Sequence, residues 1–236
     1  MGAGGLSLAP KKETKGGGTS IPRQRRTQAE RSEEMRARLA KAAFDVIADR
    51  GHSALRTAAV AARAGVSQGA QVHHFSTKER LTIAALEYAF AAANDASARR
   101  LASIGPGENP LPLLLEDLRE FFTSDKYWVS LDIAIDGSKN ANAASDIRSI
   151  VRRYRSPVYK RWAVALSQAG WSDECSEEIV RTASSLMAGV SMRSLWEDVE
   201  VYLDDFVAKA EQMLQSMWPR TNATQKLQGR ASNCLA

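Results

Sequence analysis

Apolar residues recur at three- and four-residue spacing along most of this chain, and short polar or glycine-containing breaks separate the stretches that carry them. Leu39, Ala43 and Ile47, with Ala40 and Phe44 beside them, form one such stripe, which stops at Arg50-Gly51. This spacing puts side chains on one helix face, and a basic last turn followed by glycine is a helix stop. Val60, Ala61 and Ala64 repeat the pattern over a shorter length. Leu81, Ala85, Tyr88 and Ala92 open a longer run behind Thr77-Lys78-Glu79-Arg80. The pattern predicts helices at about 32–50, 57–64, 68–74, 78–103, 111–123, 126–138, 144–169, 175–195 and 199–217. Gly105-Pro106-Gly107, Gly170 and Trp218-Pro219 mark three of the breaks. Pro157 falls inside the seventh helix and is expected to kink it or split it near Arg155. No alternating β-branched run requires a sheet, so the expected fold is all-α with about nine helices.

The segment from Thr57 to Phe75 carries the most chemistry. Thr57 is a candidate N-cap, and Gly65 can take the left-handed conformation that ends a helix. Val66 can then plug the corner while Ser67 caps a second helix at Gln68. Two helices across a short glycine-containing turn make a helix-turn-helix, whose second helix enters the DNA major groove. That second helix is crowded with suitable groups. Ser67, Gln68 and nearby backbone N–H groups are donors for phosphates or bases, and Gly69 and Ala70 keep the helix thin. Gln71 has the two-pronged amide that suits adenine, and His73 and His74 can meet phosphates or guanine acceptors.

Charge distribution fits this reading. The chain of 236 residues has a net charge of +5, but residues 1–81 hold fifteen Lys and Arg against seven Asp and Glu. The remainder holds seventeen against twenty, so the basic end is the end with the helix-turn-helix. Residues 1–31, rich in Gly, Lys, Arg, Ser and Thr, supply much of the surplus and are expected to be disordered off DNA. Cys175 and Cys234 form no CxxC pattern or disulfide framework, and no signal peptide or membrane-length apolar run is visible. A cytoplasmic protein without a cofactor is the expectation.

Several lookalikes fail on chemistry. Gly65-Val66-Ser67-Gln68-Gly69 spells the hydrolase motif G-x-S-x-G, but an alanine-rich helix precedes the serine where a strand is needed. All three histidines fall within residues 52–74, so the rest of the chain lacks the commonest general base. Adjacent His73 and His74 diverge on a helix and have no third metal ligand. Asp132 and Asp136 share a helix face but pair more readily with solvent or arginine than with a substrate. Asn222-Ala-Thr224 is a glycosylation sequon without secretory context. An enzyme is therefore not expected, and a pure protein-interaction bundle would not need the basic first third.

From Leu39 to Leu81 the chain resembles the N-terminal domain of a TetR-family transcriptional regulator. Ala42-Ala43-Phe44, Ala48-Asp49-Arg50-Gly51, Ala61-Ala62-Arg63-Ala64-Gly65-Val66-Ser67, His73-His74-Phe75 and Lys78-Glu79 carry the resemblance. It implies a DNA-binding domain at 32–81 and a helical regulatory and dimerisation domain at 82–219, between the disordered tail at 1–31 and a flexible tail at 220–236 that composition predicts. By resemblance, Thr57 and Lys78 hold phosphates, and Gln68, Gly69, Ala70, Val72 and His73 face the groove. Family members usually carry an apolar residue where Gln71 stands and an aromatic where Val72 stands. The reading taken here is that Gln71 addresses bases and Val72 packs partly inward. Phe75 and Val66 are read as core, and His74 as either a DNA contact or a packing group against the fourth helix.

For the second domain the resemblance implies a pocket for a small molecule and a two-fold dimer. Aromatic residues between 111 and 196 can enclose a small hydrophobic or amphipathic ligand, although aromatics at helical spacing are more often plain core. Trp128, Asp132, Tyr154 and Trp162 are the candidate ligand contacts, because they combine apolar bodies with polar handles. The last two helices carry the stripes Ile179, Ala183, Leu186, Met187, Val190 and Val201, Phe206, Val207, Ala210, Met213, Leu214, Met217, expected to pair with a second copy. A dimer also answers the need for a longer, near-palindromic DNA operator than one short helix can read. The expected function is a repressor released by its ligand; the alternative is a ligand-independent or activating regulator.

Overall fold

The structure is a computed structural model that describes Met1 and residues 27–220. Expectations for the N-terminal tail before Thr27, for Cys234 and for the sequon at Asn222 lie outside the described residues. Among those described, the elements are α1 (Gln28–Arg50), α2 (Thr57–Ala64), α3 (Gln68–His74), α4 (Lys78–Ala102), α5 (Leu111–Phe122), α6 (Asp125–Gly137), α7 (Ala141–Gln168), α8 (Asp173–Arg193) and α9 (Leu203–Met217). Short 3-10 turns stand at His52–Ala54 and Val199–Val201, and no strand is present among the described residues.

Helix α1 starts four residues before the expected position. Thr27 accepts the Glu30 N–H while the Glu30 carboxylate accepts the Thr27 N–H, a closed capping box. The T-x-x-E spacing was legible in the sequence, but the basic tail composition around it pointed to disorder. At its other end Gly51, at φ 78°, stops the helix as expected. Helix α9 is shorter than expected, because Val199–Val201 forms a separate 3-10 turn.

Helix α4 joins the two parts of the molecule. Near its start Leu81, Ala84 and Ala85 are buried on the side that packs on α1. Farther along, Ala89, Phe90, Ala93 and Ser97 are buried where α4 meets α5, α6 and α7. Buried apolar residues from Leu39 to Leu214 make one continuous cluster. At about 1.5 Å per residue, the 25 residues of α4 carry that cluster from the basic end to the later helices without a break.

Helix α7 runs uninterrupted from Ala141 to Gln168, so the expected split at Pro157 does not occur. Pro157 is exposed, as is Arg153 one turn before it, so the carbonyl left without a donor faces water. On the other side Val158, Trp162 and Leu166 are fully buried and hold the helix continuous through that position.

The expected dimer stripes are also corrected in part. Ile179, Ala183, Met187 and Val190 on α8, and Ala210 and Leu214 on α9, are buried within the chain itself. They seal these helices onto α5 and α7, which is why they read as apolar stripes. Leu186, Phe206 and Val207 are half-buried, and Val201, Met213 and Met217 remain exposed. Leu214→Glu would therefore break the core and not merely an interface.

Gly65 gives the sharpest local test of the fold. Its φ of +63° is unfavourable for any residue with a Cβ, and an added Cβ would also lie 3.0 Å from Arg38 Nη2. Gly65→Ala should lower stability by about 1–2 kcal/mol in urea denaturation. An unchanged midpoint would mean that the α2–α3 corner does not need the left-handed residue.

Candidate nucleic-acid interface

The corner between α2 and α3 is built by backbone chemistry. Gly65 sits at φ 63°, ψ 41°, its N–H donates to Ala62 O, and Val66 N–H reaches back to Ala61 O at 3.0 Å. These bonds satisfy carbonyls that the end of α2 would otherwise leave open. Ser67 then caps α3, its Oγ accepting the Ala70 N–H at 3.2 Å. The sequence-based expectation for Thr57 needs correction: Arg56 is the N-cap residue and Thr57 is the first helical residue, with no side-chain cap bond. Arg56 instead donates through Nη1 to Ser53 O and Leu55 O, holding the preceding turn. Thr57 stays half-exposed at the start of α2.

The two faces of α3 are unlike. Gln68, Gly69, Val72 and His73 are exposed, while Gln71 is fully buried. Residues four apart share a helix face, so 68, 69, 72 and 73 form one outward strip. Ala70 and His74 lie half-buried at its edge, and Ser67 is exposed at the start. The expectation that Gln71 addresses bases and Val72 packs inward is thus reversed. Gln71 turns its amide back on its own helix end, Nε2 donating to Phe75 O at 2.5 Å, and holds the exit from α3. Val72 presents its two methyls to solvent at 49% exposure.

Around this strip lie basic groups. Lys78, half-exposed, begins α4, which Thr77 caps through its Oγ1 and the Arg80 N–H. Arg36 stands 5.8 Å from the centre of the Phe75 ring. With His74, Arg80 and Glu87 they line a crevice beside the end of α3, although neither Arg36 nor Arg80 stood out in the sequence. Burial, helped by His73 and Arg36, holds His74 below the ordinary imidazole value. His74 lines this crevice and meets His73 edge to face, ring centres 5.1 Å apart. Phe75 and Val66 are partly buried against the core, as expected.

A second constellation fastens the basic end to the regulatory end. His52, buried in the turn after α1, is bonded through Nε2 to Thr82 Oγ1 at 2.9 Å and through Nδ1 to Asp136 Oδ2 at 2.8 Å. Its backbone N–H donates to Asp132 Oδ2 at 2.6 Å. Asp132 and Asp136 thus reach from α6 to the turn that positions α2. Trp128 lies beside them in a crevice of about 240 Å³ with Ile47, Gly51 and Val129.

The four candidate ligand contacts do not converge. Trp128 and Asp132 are at this junction, and Asp132 is already occupied by His52. Tyr154 stacks on Phe90 in the interior, with ring centres 6.3 Å apart. Trp162 is fully buried and donates through Nε1 to Asp117 Oδ2 at 3.1 Å. Asp117, in turn, accepts from Ser97 and from Arg100 Nη1.

Residues 39–85 match the family described as bacterial regulatory proteins, tetR family. The chain is 35% identical to the HTH-type transcriptional regulator CymR of Pseudomonas putida, over 74% of this chain and 86% of that protein. Two solved structures share the fold. A putative transcriptional regulator from Saccharomonospora viridis in complex with choline aligns at TM-score 0.64 and 20% identity, covering 79% of this chain and 98% of that one. A putative TetR-family regulator from Mesorhizobium loti aligns at TM-score 0.65 and 12% identity, covering 80% and 98%.

Two measurements follow from this geometry. Gln71→Ala removes a buried bond and should cost about 1–2 kcal/mol of stability, whereas Val72→Ala should leave the urea midpoint unchanged. Equal effects would contradict the two-faced helix. The Asp136 carboxyl is held below its ordinary value, first by Lys139 and then by His52. A depressed carboxylate stabilises the fold above its unfolded value, and that stability is lost as pH falls through the folded one. Wild type should therefore lose more stability than Asp136→Asn between about pH 5 and pH 3. Parallel profiles would remove Asp136 from the junction.

Proposed function

We propose that this chain, which belongs to the TetR family of bacterial regulatory proteins, is a dimeric repressor that a small molecule releases from its operator. The observation that carries the DNA half is the outward strip of α3. Gln68, Gly69, Val72 and His73 can enter a major groove together, since no larger side chain among them holds the backbone away. Val72 suits a thymine methyl and Gln68 an amide-type base contact. Thr57, Ser67 and Lys78 lie where phosphates would pass, and Ala70 gives the helix clearance. Gln71 supports the reading helix from behind, and His74 stands half-buried at its edge.

Dimerisation is read onto the outer face of α8. Arg181, Ser185 and Gly189 are exposed at four-residue spacing, with Ser184, Ala188 and Met192 half-exposed beside them. Small residues there allow close helix approach, and Met213 and Met217 add exposed apolar surface on α9. A two-fold pair carries two α3 helices, as a near-palindromic operator requires.

Release requires the ligand to favour a different spacing of the two α3 helices. Helix α6 is the natural transmitter, because Asp132 and Asp136 hold the turn at His52 directly. The Saccharomonospora viridis structure contains choline, which supports a small-molecule site in this architecture. Among the described residues no helix is long and apolar enough to cross a membrane.

Gly189 offers a clean test, since a Cβ added there meets nothing within 4 Å in this chain. Gly189→Arg should keep the helical circular dichroism of wild type yet sediment as a monomer and bind operator at least about tenfold more weakly. A variant that remains dimeric would remove the α8 face from the interface. Lys78→Ala should weaken binding to all DNA sequences alike and lower the salt slope by about one phosphate contact. An unchanged slope would place Lys78 off the DNA.

A further inference from the structure

Arg155, on α7 in the middle of the regulatory end, is 4% exposed and forms no ion pair among the described residues. Its Nη1 donates to Asn94 Oδ1 at 3.2 Å, and Asn94 is itself oriented by donating Nδ2 to Tyr154 O at 3.0 Å. Its Nε and Nη2 have no hydrogen-bond partner. An arginine cannot shed its charge inside a protein, and a buried unpaired charge is costly until something completes it. The buried carboxylate of Asp117 does not do so, because Ser97, Arg100 and Trp162 already occupy it.

The geometry of the unpaired atoms is informative. Nε–H and one Nη2–H point out of the same edge of the guanidinium, and that edge matches the two oxygens of a carboxylate. Aromatic rings flank the guanidinium. The guanidinium lies 4.2 Å from the centre of the Phe121 ring and 5.0 Å from that of Tyr159. Phe121 in turn packs against Phe90, Phe122 and Tyr127. Tyr159 also lines a crevice of about 270 Å³ between α7 and α8, so the cluster reaches the surface there.

We infer that Arg155 anchors the carboxylate of a small aromatic acid, whose ring packs on the Tyr159 side of the guanidinium, where the crevice between α7 and α8 opens. A neutral ligand would leave the buried charge uncompensated, and an organic cation would be repelled by it. Asn94 belongs to α4, so an acid bound at Arg155 acts on the pair that ties α7 to the helix leading to Lys78. This assignment rests on the repressor reading above for its regulatory meaning, but the binding chemistry stands by itself.

The test compares matched probes. Benzoate, 3-phenylpropionate and 2-naphthoate are titrated against benzamide, 3-phenylpropanamide and 2-naphthamide, with tryptophan fluorescence and thermal shift as readouts. At least one acid should bind saturably and about tenfold or more tighter than its amide. Arg155→Met should lose that acid while keeping its helical circular dichroism, and without the acid it should melt no lower than wild type. Arg155→Lys keeps the charge without the two-pronged edge and should bind the acid more weakly than wild type. Equal binding of acids and amides, undiminished acid binding by Arg155→Met, or no saturable acid binding at millimolar concentration would each overturn the assignment. Operator release is then scored separately. An acid that binds through Arg155 without releasing operator upholds the anchor and defeats the release mechanism. Release by an amide as effective as its acid upholds the mechanism and defeats the anchor.

Discussion

Helix α4 is the constraint on which the rest depends. It buries one end against α1 and the other among α5, α6 and α7, within a single apolar cluster. A closely packed interior transmits displacement because it does not deform continuously. The helix-turn-helix therefore cannot shift relative to the regulatory end without disturbing contacts along α4 or the bonds of His52 to Thr82, Asp132 and Asp136. The polar bonds join α6 to the turn between α1 and α2 and leave α3 itself free to face outward.

Buried polar groups divide the regulatory end into two chemically distinct parts. Asp117 is completed from within by Ser97, Arg100 and Trp162, and it ties α4, α5 and α7 together. Arg155 is completed on one edge only, by Asn94. The first arrangement serves the fold, because each of its groups is satisfied. The second leaves a specific set of donors open among aromatic rings, and that asymmetry separates a binding feature from an ordinary core.

Local features were legible in the sequence where they are decided by neighbouring residues. The left-handed Gly65, the Ser67 cap and the boundaries of α2 and α3 follow from backbone chemistry within a few positions. The orientation of Gln71 and Val72 was not legible, because it depends on which side of α3 meets the rest of the domain. A polar amide invites a reading toward bases, yet here it closes a bond to Phe75 O inside the fold. The apolar residues of α8 and α9 misled in the opposite sense: Met187 and Leu214 serve the chain's own core, while the exposed face of α8 carries Gly189 and small residues. Arg155 was hidden for a related reason. In a stretch with Arg152, Arg153 and Arg161, nothing in the spacing distinguishes the one arginine that turns inward.

The central claim is that two copies of α3 read DNA through the strip formed by Gln68, Gly69, Val72 and His73. Selection of bound sites from random DNA, run in parallel on wild type and Val72→Ala, tests it most directly. The account predicts a near-palindrome with half-sites about one helical turn or a multiple of it apart. It also predicts that Val72→Ala relaxes preference at one symmetric position in each half-site. A selected pool without two-fold symmetry, or a site left unchanged by Val72→Ala, would contradict it.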